Sequence, residues 1–328
     1  MSQGDTTVDI VMNKTNPKYK TEDLSNIKDE LGSFSTKFTN KGGKDTNRIT
    51  NMKVAASRIN GTILYPGEVF STNKKFGATT KANGYKPAPI ILNGKFVDEY
   101  GGGVCQISST LYNAVLYSEL DIVERQNHSL KVGYLDYGYD ATLAGDYIDL
   151  KFKNTTNYPI YIDARFTENE FICTIYGYDE RPKNREIKLE NALIEVIEPS
   201  PKIIKETDEL PEGEEKTVVK PLKGYKYKLY KLIYEDGKLK EKVLVNNSYY
   251  KPRAEEVLVG TKKVADVVKQ NEKPLQETTK AIETNETTTE EKNNSQQSTE
   301  DVVVEETLDD IIEDIIVEET VIESSVEN

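Results

Sequence analysis

Apolar residues recur at helical spacing in two stretches of the chain. In "DTNRITNMKVAASRINGTIL", Ile49, Met52, Ala55, Ala56 and Ile59 share a face, which predicts a helix from about Asp45 to Asn60 closed by Gly61. In "VCQISSTLYNAVLYSEL", Val104, Ile107, Leu111, Ala114, Val115 and Leu120 form a second stripe. The glycines at 101 to 103 are too permissive for helix, so Cys105 falls in the first helical turn. Between these helices lie a Pro66-Gly67 turn and "PAPIILNGKFVDEY", two β-rich runs joined by Asn93-Gly94, a preferred hairpin turn.

After the second helix the pattern shortens to β-rich runs: "VERQNHSLKVGYL", "YIDLKFKN", "YPIYIDARF" and "FICTIYGYD". Cys173 alternates there with Phe171 and Ile175, a strand-core position. A further set of strands, including "KYKLYKLIYEDGKLKEKVLV" with its Asp236-Gly237 turn, predicts a separate all-β module. The start of the chain is polar, with "VDIVMN" as a short strand. The end is low-complexity Thr, Glu, Asn and Gln, expected to be disordered, and then carries Val304, Leu308, Ile311, Ile315 and Ile322 at the spacing of a short acidic helix. The fold class this predicts is α+β: a Cys105-bearing helix packed on a mainly antiparallel sheet, a small all-β module and an acidic tail. The expected divisions are 1–44, 45–180, 185–263 and 264–328.

A net charge of -13 over 328 residues changes meaning once it is divided. The segment from Val264 holds 19 acidic residues against 4 lysines, which leaves 39 basic and 37 acidic residues elsewhere. The acidity belongs to the tail, and the folded part carries no charge that points to nucleic acid. Two cysteines make no disulfide framework, and one histidine with no CxxC pair leaves no basis for a zinc or histidine-based metal centre. No apolar run approaches the length of a membrane span, and the first residues lack the basic and apolar regions of an export signal. The expectation is a cytoplasmic chain or the later part of an exported one.

The sole histidine, His128, lies 23 residues beyond Cys105. A thiolate is favoured at a helix N-terminus and beside an imidazolium. Glycines 101 to 103 would let a substrate approach the sulfur and leave backbone N–H groups for an oxyanion. Asp140, Asp136 and Ser129 are the nearby groups that could orient the imidazole. The plainer reading makes Cys105 a buried small hydrophobe. The glycine triplet is no phosphate loop, since no GxxxxGK[ST] surrounds it.

"NRITNMKVAASRINGTILYPGEVFSTNKKFG", "GYKPAPIILNGKFVDEYGGGVCQISSTLYNA", "NHS" and "GYDATL" together resemble the VanW domain of bacterial envelope proteins, over roughly Asp45 to Tyr178. The region ending "NNSYYKPRAEEVLVGTKK" resembles the five-glycine type of extracellular β-module, with sparse glycines at 213, 224, 237 and 260. This resemblance implies an extracytoplasmic cell-wall setting, with residues 1–44 as the end of a peptidoglycan-binding region. It also implies L,D-transpeptidase activity on peptidoglycan stem peptides, with Cys105 as nucleophile, His128 as base and Asp140 as orienting residue. Gly103 and Gln106 would then hold the oxyanion. Arg48 and Tyr85 would meet the substrate, though Arg48 at a helix start can equally be a structural clasp. The alternatives are a noncatalytic wall-binding or glycopeptide-resistance accessory and a wall cysteine peptidase or carboxypeptidase. Oligomeric state is not legible.

Overall fold

The computed structural model describes residues 20–92 and 95–263. The "VDIVMN" run, the Asn93-Gly94 turn and the tail with its acidic helix lie outside the described residues. The chain forms two compact units, Met1–Pro199 with Leu222–Arg253 and Ser200–Pro221 with Ala254–Asn328. The described residues are mostly β-sheet with few helices.

The first unit contains β1 (Asp29–Lys37), α1 (Lys44–Ile59), β2 (Thr62–Leu64), β3 (Val69–Ser71), α2 (Thr72–Phe76), β4 (Pro87–Leu92), β5 (Lys95–Tyr100) and α3 (Val104–Tyr117). It continues through β6 (Asp121–Glu124), β7 (Lys151–Lys153), β8 (Ile160–Phe166), β9 (Glu170–Gly177) and β10 (Arg185–Ile197). After β11 (Ile203–Pro211) and β12 (Glu215–Val219), which belong to the second unit, the chain returns to the first as β13 (Gly224–Glu235) and β14 (Lys238–Tyr250). It ends in the second unit with β15 (Glu256–Lys262), which pairs parallel to β11 and antiparallel to β12.

Strands β1, β9, β8 and β2 form an antiparallel sheet in that order, with α3 packed on β1 and β9 and α1 on β8. The helical stripes read from sequence supply the filling. Met52, Ile59, Ile107 and Leu111 are fully buried against Ile160, Ile162, Phe171 and Ile175. Cys173 is buried in the same strand row, and burial pushes its thiol upward. A smaller sheet of β3, β7 and β6 stacks Phe70 on Phe152 at 4.9 Å between ring centroids. The long antiparallel sheet β10-β13-β14 contributes Leu229 to the same core. Its hairpin turns at Asp236 and Gly237, with φ of +51° and +71°, the mirror-image turn that Asp-Gly favours.

Two features depart from the sequence pattern. Although the predicted sheet domain begins at 45, β1 is hydrogen-bonded to β9 from Asp29↔Gly177 to Lys37↔Glu170. The run "VERQNHSLKVGYL" is read as strand, yet β6 stops at Glu124 and irregular backbone follows to Lys151. Its polar residues do not alternate with apolar ones but take individual partners. Asn127, for example, donates to the carbonyls of His128 and Tyr249. This loop, and not a sheet, carries His128 and Asp140.

Because Phe152 is fully buried, Phe152→Ala should lower stability by about 3–5 kcal/mol in urea unfolding. Val123, 54% exposed on β6, should lose less than about 0.5 kcal/mol when cut to alanine.

Candidate functional site

The start of α3 is anchored by the turn before it. Asn51, fully buried on α1, donates to the carbonyls of Lys86 and Gly102 and accepts from the Lys86 N–H. The three glycines are required by this close packing. A Cβ at Gly101 would lie 2.7 Å from the Thr79 side chain, at Gly102 2.5 Å from the Ala88 carbonyl oxygen, and at Gly103 2.8 Å from the Arg48 stem. Gly101 and Gly103 also have φ of +93° and +103°. The triplet therefore seats the helix start against β4 and α1, where the sequence suggested open space for a substrate.

Cys105, half-buried, occupies the second position of α3. Its sulfur lies 3.9 Å from the Thr142 hydroxyl and 3.9 Å from the Leu143 carbonyl oxygen, and the His128 side chain is near enough to act on the thiol by hydrogen bonding and charge. His128 Nδ1 is 2.7 Å from Asp140 Oδ2, which also accepts the His128 backbone N–H at 2.6 Å. With Nδ1 committed to the carboxylate, Nε2 is the nitrogen left for sulfur. Asp140 Oδ1 accepts from Tyr250 Oη at 2.6 Å and from Arg125 Nη2 at 3.2 Å. Of the three orienting candidates, Asp140 is the one bonded to the imidazole. Asp136 and Ser129 are exposed, and the Ser129 carbonyl accepts the Lys251 N–H.

The remaining expected residues divide. Arg48 lies beside the site but donates to Gln106 Oε1 and Met52 Sδ. Gln106 in turn donates its amide to Thr36 Oγ1 and the Lys37 carbonyl. Its backbone N–H donates to the Gly103 carbonyl at 3.0 Å, so Gln106 has no donor left for an oxyanion. Gly103 and Cys105 lie at the start of α3, where the first N–H groups of an α-helix have no intrahelical acceptor. Tyr85 is a core residue: its ring is 1% exposed and its hydroxyl donates to the Phe76 carbonyl.

Arg125, Tyr134 and Tyr250 are members of the cluster that sequence reasoning missed. Tyr134 comes from the loop, hydrogen-bonds Ser109, and lies under the Arg48 guanidinium at 6.0 Å. A cavity of about 260 Å³ lined by Leu31, Tyr117, Arg181 and Arg185 sits at the far end of α3, roughly 18 Å along the helix from Cys105. Among the described residues no His, Cys, Asp and Glu cluster could hold a metal, and no helix is long and apolar enough to cross a membrane.

Charge in the cluster is set by neighbours against burial. Burial opposes ionisation of Cys105, but the hydrogen bond and charge of His128, with contacts to Leu143 and Thr142, outweigh it and hold the thiol below the ordinary cysteine range. Burial likewise opposes protonation of His128, yet Asp140 and Cys105 push its pKa up to about 9. Asp140 stays below the usual carboxylate range despite burial, because His128, Arg125 and Tyr250 all favour its charge. Both shifts favour a thiolate–imidazolium pair. Its Cys105 part is lost as pH falls through the depressed thiol value, its His128 part as pH rises through about 9.

Residues 47–176 match the VanW like protein family and residues 193–262 the G5 domain, so the chain carries a VanW-like domain followed by a G5 domain. It is 36% identical over 178 residues to the protein YoaR of Bacillus subtilis, covering 54% of this chain and 58% of that protein. It is 31% identical over 159 residues to vancomycin B-type resistance protein VanW of Enterococcus faecalis, covering 47% of this chain and 57% of that protein. The match thus spans little more than half the length of either relative. The solved G5 domain of IgA1 protease is 22% identical, with a TM-score of 0.18, covering 24% of this chain and 94% of that one.

Iodoacetamide titration should alkylate Cys105 and spare Cys173 in the folded protein, with the acid limb of the rate below that of a free thiol. In His128→Ala that limb should move up toward about 8.5, the value of an unassisted cysteine. Gly102→Ala forces a Cβ onto the Ala88 carbonyl and should lower the urea midpoint by an amount equivalent to about 1–3 kcal/mol.

Proposed function

We propose that this chain, a VanW-like domain followed by a G5 domain, is a cell-wall acyltransferase that forms three-to-three peptidoglycan crosslinks through a Cys105 thioester. The observation that carries the reading is the hydrogen-bonded series Cys105–His128–Asp140 with the sulfur at a helix start. Support for the wall setting comes from the similarity to a vancomycin resistance protein and from the link of G5 domains to peptidoglycan or sugar components. The partner is a peptidoglycan stem peptide, and the protein works outside the cytoplasm.

The Cys105 thiolate attacks the carbonyl of the third residue of a donor tetrapeptide. As the tetrahedral intermediate collapses, the C–N bond to the terminal D-Ala breaks, and the amine leaves with the proton of the His128 imidazolium. The N–H groups of Gly103 and Cys105, at the start of α3, bind the oxyanion. A side-chain amine of an acceptor stem then attacks the thioester and gives its proton to neutral His128. Thiolate and imidazolium are both restored, so no cofactor enters. Asp140 fixes the tautomer and stays ionised throughout.

Incubation of the full chain with a disaccharide-tetrapeptide should yield a crosslinked dimer and free D-Ala, both absent from Cys105→Ala. D-Ala without dimer would make the protein a carboxypeptidase. Neither product, from folded protein, would leave a noncatalytic wall-binding accessory.

A further inference from the structure

Asp140 and Tyr250 are 110 residues apart in sequence, the first in the VanW-like domain and the second at the end of β14 in the region matched to G5. Both belong to the same compact unit. Tyr250 Oη donates to Asp140 Oδ1 at 2.6 Å and accepts the Gly138 N–H at 2.7 Å, so its proton has one direction to take. The ring is fixed edge-on against Tyr137, at 5.1 Å, and Tyr137 itself stacks on Tyr227 of β13 at 4.2 Å.

Other links run the same way. Arg125 spans the two regions, donating Nε to the Asp140 carbonyl at 2.7 Å and Nη1 to Ser248 Oγ of β14 at 2.9 Å. Asn246 donates to Tyr112 Oη of α3 and to the Gly138 carbonyl, and the Lys251 N–H donates to the Ser129 carbonyl beside His128. The charged and titratable groups around Asp140 and its partners include His128, Cys105, Arg125, Tyr112, Tyr134, Tyr137 and Tyr250. Of these, Tyr250 alone comes from the G5-matched region.

We infer that the β13–β14 hairpin of the G5-matched region is built into the reactive centre, and that Tyr250 is a positioning residue that holds the Asp140 carboxylate on His128. Tyr250 touches neither the sulfur nor the imidazole and acts through Asp140. The G5-matched region is thereby more than a wall-binding attachment to a self-sufficient enzyme. The inference rests on the reading of Cys105–His128–Asp140 as the reactive series, but thiol chemistry tests it without reference to crosslinking.

The test measures the iodoacetamide alkylation rate of Cys105 from about pH 5 to about pH 9 in the full chain, for wild type, Tyr250→Phe and Tyr250→Ala. Tyr250→Phe keeps the ring and removes the donor. It should move the acid limb upward and slow alkylation near pH 6 by roughly 3- to 10-fold, the effect of one lost hydrogen bond to a charged group. A profile for Tyr250→Phe that superimposes on wild type overturns the inference, including the case where only Tyr250→Ala departs, since that marks a packing role.

Buried Cys173 reports folding in the same samples. If it becomes reactive in Tyr250→Phe, Ser248→Ala is read instead: an upward shift supports the hairpin's part, and an unchanged profile overturns it. Transpeptidase product is scored separately, so an upward shift without dimer removes the crosslinking reading and leaves this one standing.

Discussion

The buried carboxylate of Asp140 is the constraint on which the centre of the molecule depends. A carboxylate with 1% of its side chain exposed is tolerated only if its charge is paired and its lone pairs are filled. Four donors do this: the backbone and ring of His128, the guanidinium of Arg125 and the hydroxyl of Tyr250. To bring them together, the backbone between β6 and β7 gives up strand pairing and folds around the aspartate. The loop's irregular path is thus the form that a buried charge imposes on its surroundings. The placement of the imidazole beside the sulfur follows from it.

A second constraint lies at the start of α3. Its first turn is pressed against α1 and β4 by Asn51 and by three positions without side chains. Arg48 and Gln106 fill the flank, each satisfying the other. Gly103 and Cys105 fall among the first N–H groups of α3, which lie beyond the reach of intrahelical acceptors.

Much of this was legible from pattern, and some was not, for physical reasons. Both long helices announce themselves by a 3.6-residue period, and Gly61, with φ of +77°, ends the first as a helix stop should. The β13–β14 turn was equally plain from Asp236-Gly237. The scarcity of histidine drew attention to His128, and the "GYDATL" motif to Asp140. The glycine triplet and Gln106 misled because small or polar residues beside a thiol look like substrate contacts. Here the space a side chain would need at the glycines is taken by Thr79, Ala88 and Arg48, and the Gln106 amide is bonded to Thr36 and Lys37. Tyr85 misled in the same way, its hydroxyl spent on a backbone carbonyl. Arg125, Tyr134 and Tyr250 carry no local signal, since their partners come from tertiary folding alone. The Tyr250 partner is 110 residues distant.

The region matched to G5, 193–262, does not coincide with either compact unit: β13 and β14 belong to the first, β12 and β15 to the second. Sequence modules are usually pictured as beads that recombination can exchange at their borders. In this chain the seams of lowest connectivity fall inside the bead, after Pro199, after Pro221 and after Arg253. An exchange made at the border of the match would carry away Tyr250, Ser248 and Asn246 along with the module. A graft made at the unit boundaries would replace Ser200–Pro221 and the chain from Ala254 onward and keep Tyr250, Ser248 and Asn246 in the same unit as Asp140.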